Sequence, residues 1–164
     1  MNKKLFEHAF AGEDHSKPYT LQEAAEFFWG RKLIDKGEFA EQAISKKANI
    51  EQNAPNTMGS DLVDGSEIKY SEVYYDKRTT YATISGIKNK TGTIRAWIYE
   101  QNTESNYYFL IPYKVYSTYF TNGKKSTMKI WFNKDGTPRR PKNHTNPDLW
   151  DYEVTEKKFM KFKE

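Results

Sequence analysis

Cysteine is absent from the 164 residues, which excludes disulfide staples and thiolate metal sites alike. Histidine is scarce, and His8, His15 and His144 are too scattered to suggest a histidine-rich zinc centre. No apolar run approaches the ~20 residues needed to cross a bilayer. Met1 to Leu5 is followed at once by Glu7 and His8, so no secretory leader is read there and a cytoplasmic location is expected. Repeats, linkers and low-complexity stretches are also missing. One domain over 1–164, long enough for a real core, is the expectation.

What the sequence does hold is charge and aromatic rings. Charged residues make up 29% and hydrophobic ones 37%, a balance that fits a folded, soluble chain rather than a disordered one. The formal net charge is +4, and its distribution says more than its size. Lys114, Lys124, Lys125, Lys129, Lys134, Arg139, Arg140 and Lys142 face a single acid, Asp135, over the same span, whereas acids concentrate before Asp76. An acidic half and a basic half suit a protein that grips a polyanion, although a solvated basic face accounts for the charge run as well. Aromatics reach 16%, with 12 tyrosines, enough to place some rings on a binding surface.

Along the chain, Thr20-Leu21-Gln22-Glu23 has the capping-box pattern, and apolar residues from Leu21 to Trp29 recur at helical spacing. A helix over about 21–35 is predicted, broken at Gly37, and a second from Glu38 to about Ala48 with Phe39, Ala43 and Ile44 on one stripe. Residues 49–59 read as a polar loop. Strands are expected over Tyr81–Ile87 and Thr93–Tyr99, joined by the turn Asn89-Lys90-Thr91-Gly92, and over Tyr107–Tyr116, where Pro112 signals an edge or an end. Asn122-Gly123 predicts a hairpin between Tyr116–Phe120 and Met128–Phe132. Residues 134–147 read as a basic loop, and Leu149–Phe162 fits either a strand or a helix.

The most informative stretch is Ser60-Asp61-Leu62-Val63-Asp64-Gly65-Ser66-Glu67-Ile68-Lys69, two short strands around an Asp-Gly turn. Glu67 and Lys69 are two apart and share one face of a strand. Two registers are open. A two-residue loop pairs Leu62 with Glu67 and turns Asp61 away, whereas a three-residue loop, with Gly65 left-handed, pairs Asp61 with Glu67. The second is preferred, because it gathers two carboxylates and a lysine where a divalent cation can be held. Mg2+ is typically bound by one or two carboxylates together with waters and substrate phosphates. Asp61, Glu67 and the Ile68 carbonyl can supply that half-shell, and Lys69 can serve a metal-bound water or neutralise charge on a phosphate. Asp64, at the turn, is expected to point away and to tolerate substitution.

Asp61, Glu67 and Lys69 together resemble the motif of the PD-(D/E)xK nuclease superfamily, to which most type II restriction endonucleases belong. Ser60 stands where the motif has proline, and the gap to Glu67 is short, as in the branch of the mismatch-repair nicking endonuclease. The segment Gly37-Glu38-Phe39-Ala40-Glu41-Gln42-Ala43 is similar to a helix of that branch, which implies that Glu41, with Glu38 as substitute, lies near the metal. The resemblance implies an α/β (α+β) fold, a restriction-endonuclease-like mixed central sheet with N-terminal helices, here with a β-rich C-terminal half. It implies an Mg2+-dependent endodeoxyribonuclease, with Mn2+ as possible substitute, cutting double-stranded DNA at a short sequence as a homodimer. Lys124, Lys125, Lys134, Arg139, Arg140 and Lys142 are the expected DNA contacts, the two arginines as candidates for reading guanine. Two other readings stay open: a structure-specific or nicking nuclease, and a non-catalytic, basic, β-rich nucleic-acid-binding domain.

Overall fold

The computed structural model describes residues 36–54, 59–120, 127–140 and 146–164, arranged around two sheets. The first takes the order β1 (Glu67–Glu72), β4 (Ile94–Glu100), β5 (Ser105–Ile111), β7 (Glu153–Val154). β1 and β4 run parallel, with Glu67 beside Ile94, and the other neighbours are antiparallel, so this central sheet is mixed. β4 is buried on both faces: Ile94, Ala96 and Ile98 point one way, Arg95 and Trp97 the other. The second sheet, β2 (Tyr74–Tyr75), β3 (Thr80–Ile84) and β6 (Met128–Phe132), is antiparallel. Its longer strands alternate between buried residues and half-buried or exposed ones, as a sheet with one wetter face requires.

Three layers follow from that alternation. Ala82, Ile84, Met128, Ile130 and Phe132 of the second sheet pack on Ile94, Ala96, Ile98, Phe109 and Ile111 of the first. The opposite face of the first sheet is covered by α1 (Lys36–Ala48), through Phe39, Ala40 and Ile44, and by Phe159 of α3 (Glu156–Lys161), around Ile68 and Trp97. Each fully buried aliphatic side chain contributes ~1.5–3 kcal/mol, so these two apolar seams fix the relative positions of β1 and β4. Among the described residues, no helix is long and apolar enough to cross a membrane.

Several expectations are corrected. β5 stops at Ile111, because Pro112 has no N–H for the ladder; its carbonyl instead accepts from Val115 and Tyr116 and starts α2 (Tyr113–Tyr116), which tightens into a 3-10 turn over Ser117–Phe120. The first arm expected for the Asn122-Gly123 hairpin is therefore helical, and β6 pairs with β3. β3 and β4, read as joined by a turn, belong to different sheets. The C-terminal stretch is both helix and strand: a 3-10 turn (Leu149–Tyr152) capped by Asp148, then β7, then α3 capped by Thr155. The second predicted helix is present as α1, but it begins at Lys36 and runs through the break expected at Gly37. The first, over 21–35, and the Asn122-Gly123 turn lie outside the described residues.

Candidate active site

β1 is bonded to β4 through its odd-numbered residues, with the Glu67 N–H donating to the Thr93 carbonyl at 3.0 Å. The peptide groups of Ile68 therefore face away from β4, toward the open edge of the sheet. Asp61 meets them there: its Oδ2 accepts the Ile68 N–H at 2.7 Å. The preceding turn is the three-residue loop Val63-Asp64-Gly65, closed by Leu62 N–H to Ser66 C=O at 3.1 Å, with Gly65 at φ 91°. Its first arm is not a strand, however. Leu62 makes one isolated bridge to Gln52, and the Asn53 side-chain amide donates to the Ser60 and Leu62 carbonyls. Asp61 reaches β1 through its side chain rather than through a ladder.

Glu67 and Lys69 share a face, as a period of two requires, and Lys69 Nζ lies 2.8 Å from Glu67 Oε1. A second lysine joins them. Lys90, from the loop before β4, places its Nζ 2.9 Å from the same oxygen and donates to the Gly59 carbonyl at 2.7 Å. Glu67 is only 2% exposed, and its Oε2 is buried with no hydrogen-bond partner. Burial pushes the Asp61 carboxyl above its ordinary value; the nearby Glu67 charge adds to this, while the Ile68 N–H and both lysines pull the other way. A cavity of about 430 Å³ opens beside Glu67, with Gly59, Ser60, Lys90 and Glu164 in its lining. Its floor depends on a close approach of two glycines: a Cβ on Gly92 would come within 1.8 Å of the Gly65 carbonyl oxygen.

Asp64 does not point away. It accepts from the Ser66 N–H and hydroxyl at 3.0 and 2.6 Å and from Arg95 Nη2 at 3.1 Å. Arg95 is fully buried, and its other donors reach Ser66 Oγ and the carbonyls of Phe159 and Phe162. The expectation that Asp64 points away is corrected: the turn aims this anion at a buried guanidinium.

A solved structure resembles this one. It is a bacterial homing endonuclease, I-Ssp6803I, similar at a TM-score of 0.40 and 16% identity over 72% of this chain and 83% of that chain. No protein-family model matches the chain, and no curated protein does. So distant a likeness decides nothing about the site, whose chemistry follows from its own side chains.

The remaining sequence candidates are placed less centrally. Glu41 is half-buried on α1, and α1 packs on the Ile68 and Trp97 face of the sheet, the opposite face from Glu67 and Lys69. Glu38 is exposed and accepts from Gln42 at 3.2 Å. Lys134 and Arg139 are exposed, whereas Arg140 is engaged by Asp148 at 3.0 Å and Asp151 at 2.6 Å. Lys124, Lys125 and Lys142 lie outside the described residues.

Lys90 is the residue that sequence reasoning missed. Its turn was legible, but its approach to Glu67 exists only because β1 and β4 pair in parallel. As to a metal, the described residues contain no cluster of three or more His, Cys, Asp or Glu side chains suited to one. The bare, buried Glu67 Oε2, on a carboxylate whose charge is felt at Asp61, fits the smaller protein share that Mg2+ takes when waters and phosphates complete its shell.

Proposed function

We propose that the chain is an Mg2+-dependent endodeoxyribonuclease acting on double-stranded DNA, sequence-specific in the manner of a small type II restriction enzyme and working as a two-fold dimer. The observation that carries this reading is the buried Glu67 carboxylate, with two lysines on one oxygen, its other oxygen without a partner, and its charge felt at Asp61. A solvated surface hairpin has no reason to bury a carboxylate and leave half of it unsatisfied.

Asp61, Glu67 and the outward-facing Ile68 carbonyl would hold the ion; Glu41, on the helix across the sheet, is not needed for that shell. Bound Mg2+ supplies a more acidic water and Lewis-acid neutralisation of the phosphate. Lys69 has three donors and uses one on Glu67, so it can orient the attacking water and donate to a phosphoryl oxygen. Lys90 holds the Gly59 carbonyl and Glu67 at once, which ties the Asp61 segment to β1 and adds a second positive charge where the phosphate arrives. Exposed Lys134 and Arg139, with the lysines of the basic half, would contact DNA outside the cut.

Supercoiled plasmid incubated with pure protein and Mg2+ tests this. Wild type should cut it, and Lys69→Ala should cut ~10²–10⁴-fold more slowly while keeping fold and DNA affinity. Plasmids of many sequences left intact by wild type would sink the enzyme reading, as would full activity in a Glu67→Ala/Lys69→Ala variant.

A further inference from the structure

The wet face of the second sheet carries a row of side chains that the proposed cutting chemistry does not use. Cross-strand register sets Tyr74 opposite Tyr81 and Tyr81 opposite Trp131. Beyond β6, Pro138 bridges Phe132 and the Arg139 N–H donates to the Trp131 carbonyl at 3.0 Å, which sets Arg139 opposite Trp131. Opposed residues share a face, so Tyr74, Tyr81, Trp131 and Arg139 form one line across the sheet. Strands lie ~4.8 Å apart, so the line is ~14 Å long. Successive rings in it are 5.7 Å apart, centre to centre. Thr83 and Lys129 form the next pair on that face, and Lys129 Nζ lies 4.0 Å from the centre of the Tyr81 ring.

This surface is aromatic and basic together. Tyr74 is 57% exposed, the largest exposure among the large apolar side chains described. Arg139, Lys129, Lys134, Lys77 and Arg78 are exposed on the same strands and their turns. Against these five cations the same turns carry two acids, Asp76 and Asp135. The face therefore has a net positive charge, so its partner is an anion with flat apolar groups.

We propose that this row is a docking surface for an unpaired stretch of DNA, whose bases stack on Tyr74, Tyr81 and Trp131 while its phosphates meet Arg139 and Lys129. Aromatic platforms in basic surroundings bind single strands because every base has a π-face to offer. A reader of duplex grooves presents amide and guanidinium groups to base edges; here three of four positions in the row present ring surface, and a duplex keeps its base faces stacked inside. One strand of the row, β3, leads to the candidate site. From Tyr81 the chain runs to Gly86, where a Cβ would stand 3.9 Å from Lys69 Nζ, so at most ~18 Å of extended chain separates Tyr81 from Gly86. The inference goes beyond the proposed cutting reaction and takes from that reading only the choice of DNA as the single strand.

Fluorescence anisotropy of the full chain, in EDTA, with a short labelled single-stranded DNA of mixed sequence and with its duplex, tests the assignment. Tyr74→Ala should weaken single-strand binding by about fivefold or more and leave duplex binding within about twofold. Tyr74→Phe, which keeps the ring, should bind as wild type does. The substituted side chain is exposed, and an unchanged circular dichroism spectrum secures the fold. Wild type that fails to bind the single strand, a Tyr74→Ala variant that binds it normally, or an equal loss on both DNAs would each overturn the proposal. Because no metal is present, none of these outcomes bears on whether the protein cuts.

Discussion

Arg95 takes no part in the proposed chemistry, yet the placement of the Val63-Asp64-Gly65 turn runs through it. A fully buried guanidinium is tolerable only when its donors are satisfied, and here Asp64, Ser66 Oγ and two carbonyls near the C-terminal helix satisfy it. Asp64→Ala removes the one anion in that set and leaves the cation in place. The expected loss is about 2–3 kcal/mol, at the lower end for a broken buried pair because the other acceptors stay. Urea denaturation measures it, and a change under ~0.5 kcal/mol would refute the assigned role. Asp64→Asn, which keeps acceptor oxygen at the turn, should cost less. The sequence made Glu67 and Lys69 legible as a pair, since period two alone puts them on one face. Neither Lys90 nor Asp64 was legible in its role, because both act through β4, and nothing local to the hairpin announces which strand will lie beside it.

At the scale of elements, the turn between β4 and β5 is built on a buried carboxylate. Glu100 accepts from the Tyr75 hydroxyl, from the Asn102 and Thr103 N–H groups at 2.8 Å each, and from the Thr103 hydroxyl, tying β2 to the β4–β5 turn. Gly136 lies against it, with a hypothetical Cβ 2.5 Å from the carboxylate and φ at 84°, so only glycine suits that position. Burial on its own would raise the Glu100 carboxyl, but the hydrogen bonds from Thr103, Tyr75 and Asn102 outweigh it and hold the group below the ordinary glutamate range. A carboxyl lowered on folding stabilises the protein above its unfolded value, ~4.3, and that contribution is lost as pH falls toward the folded value. Glu100→Gln should therefore lower stability at neutral pH and flatten its fall below about pH 4.3. Urea midpoints at several pH values measure this; a wild-type slope in the variant would contradict it. Periodicity revealed β3, β4 and β5 as strands but not their sheets, because alternation states which faces are wet and says nothing of neighbours. The helical start at Tyr113 was hinted at by Pro112, which the β-rich run around it obscured.

Over the whole molecule, the candidate site is assembled from pieces that are distant in sequence. Asp61 comes from a loop, Glu67 and Lys69 from β1, and Lys90 from the approach to β4, while Arg95 bonds the carbonyls of Phe159 and Phe162. β1 cannot meet β4 until the chain has travelled through β2 and β3, since a parallel pair needs a crossover between its strands. Folds ruled by such long-range pairings form slowly, because loop closure precedes the contacts that reward it. A nascent or half-folded chain consequently holds a bare motif and no working centre. In refolding by dilution from urea, the proposed DNA cleavage should return with the rate of the slowest tertiary signal, and not with the earlier rise in secondary structure. Activity preceding that signal would show that the Asp61–Lys69 segment is competent alone. On the proposed function, cutting would thus wait until the last contacts close, with topology serving as the safety catch.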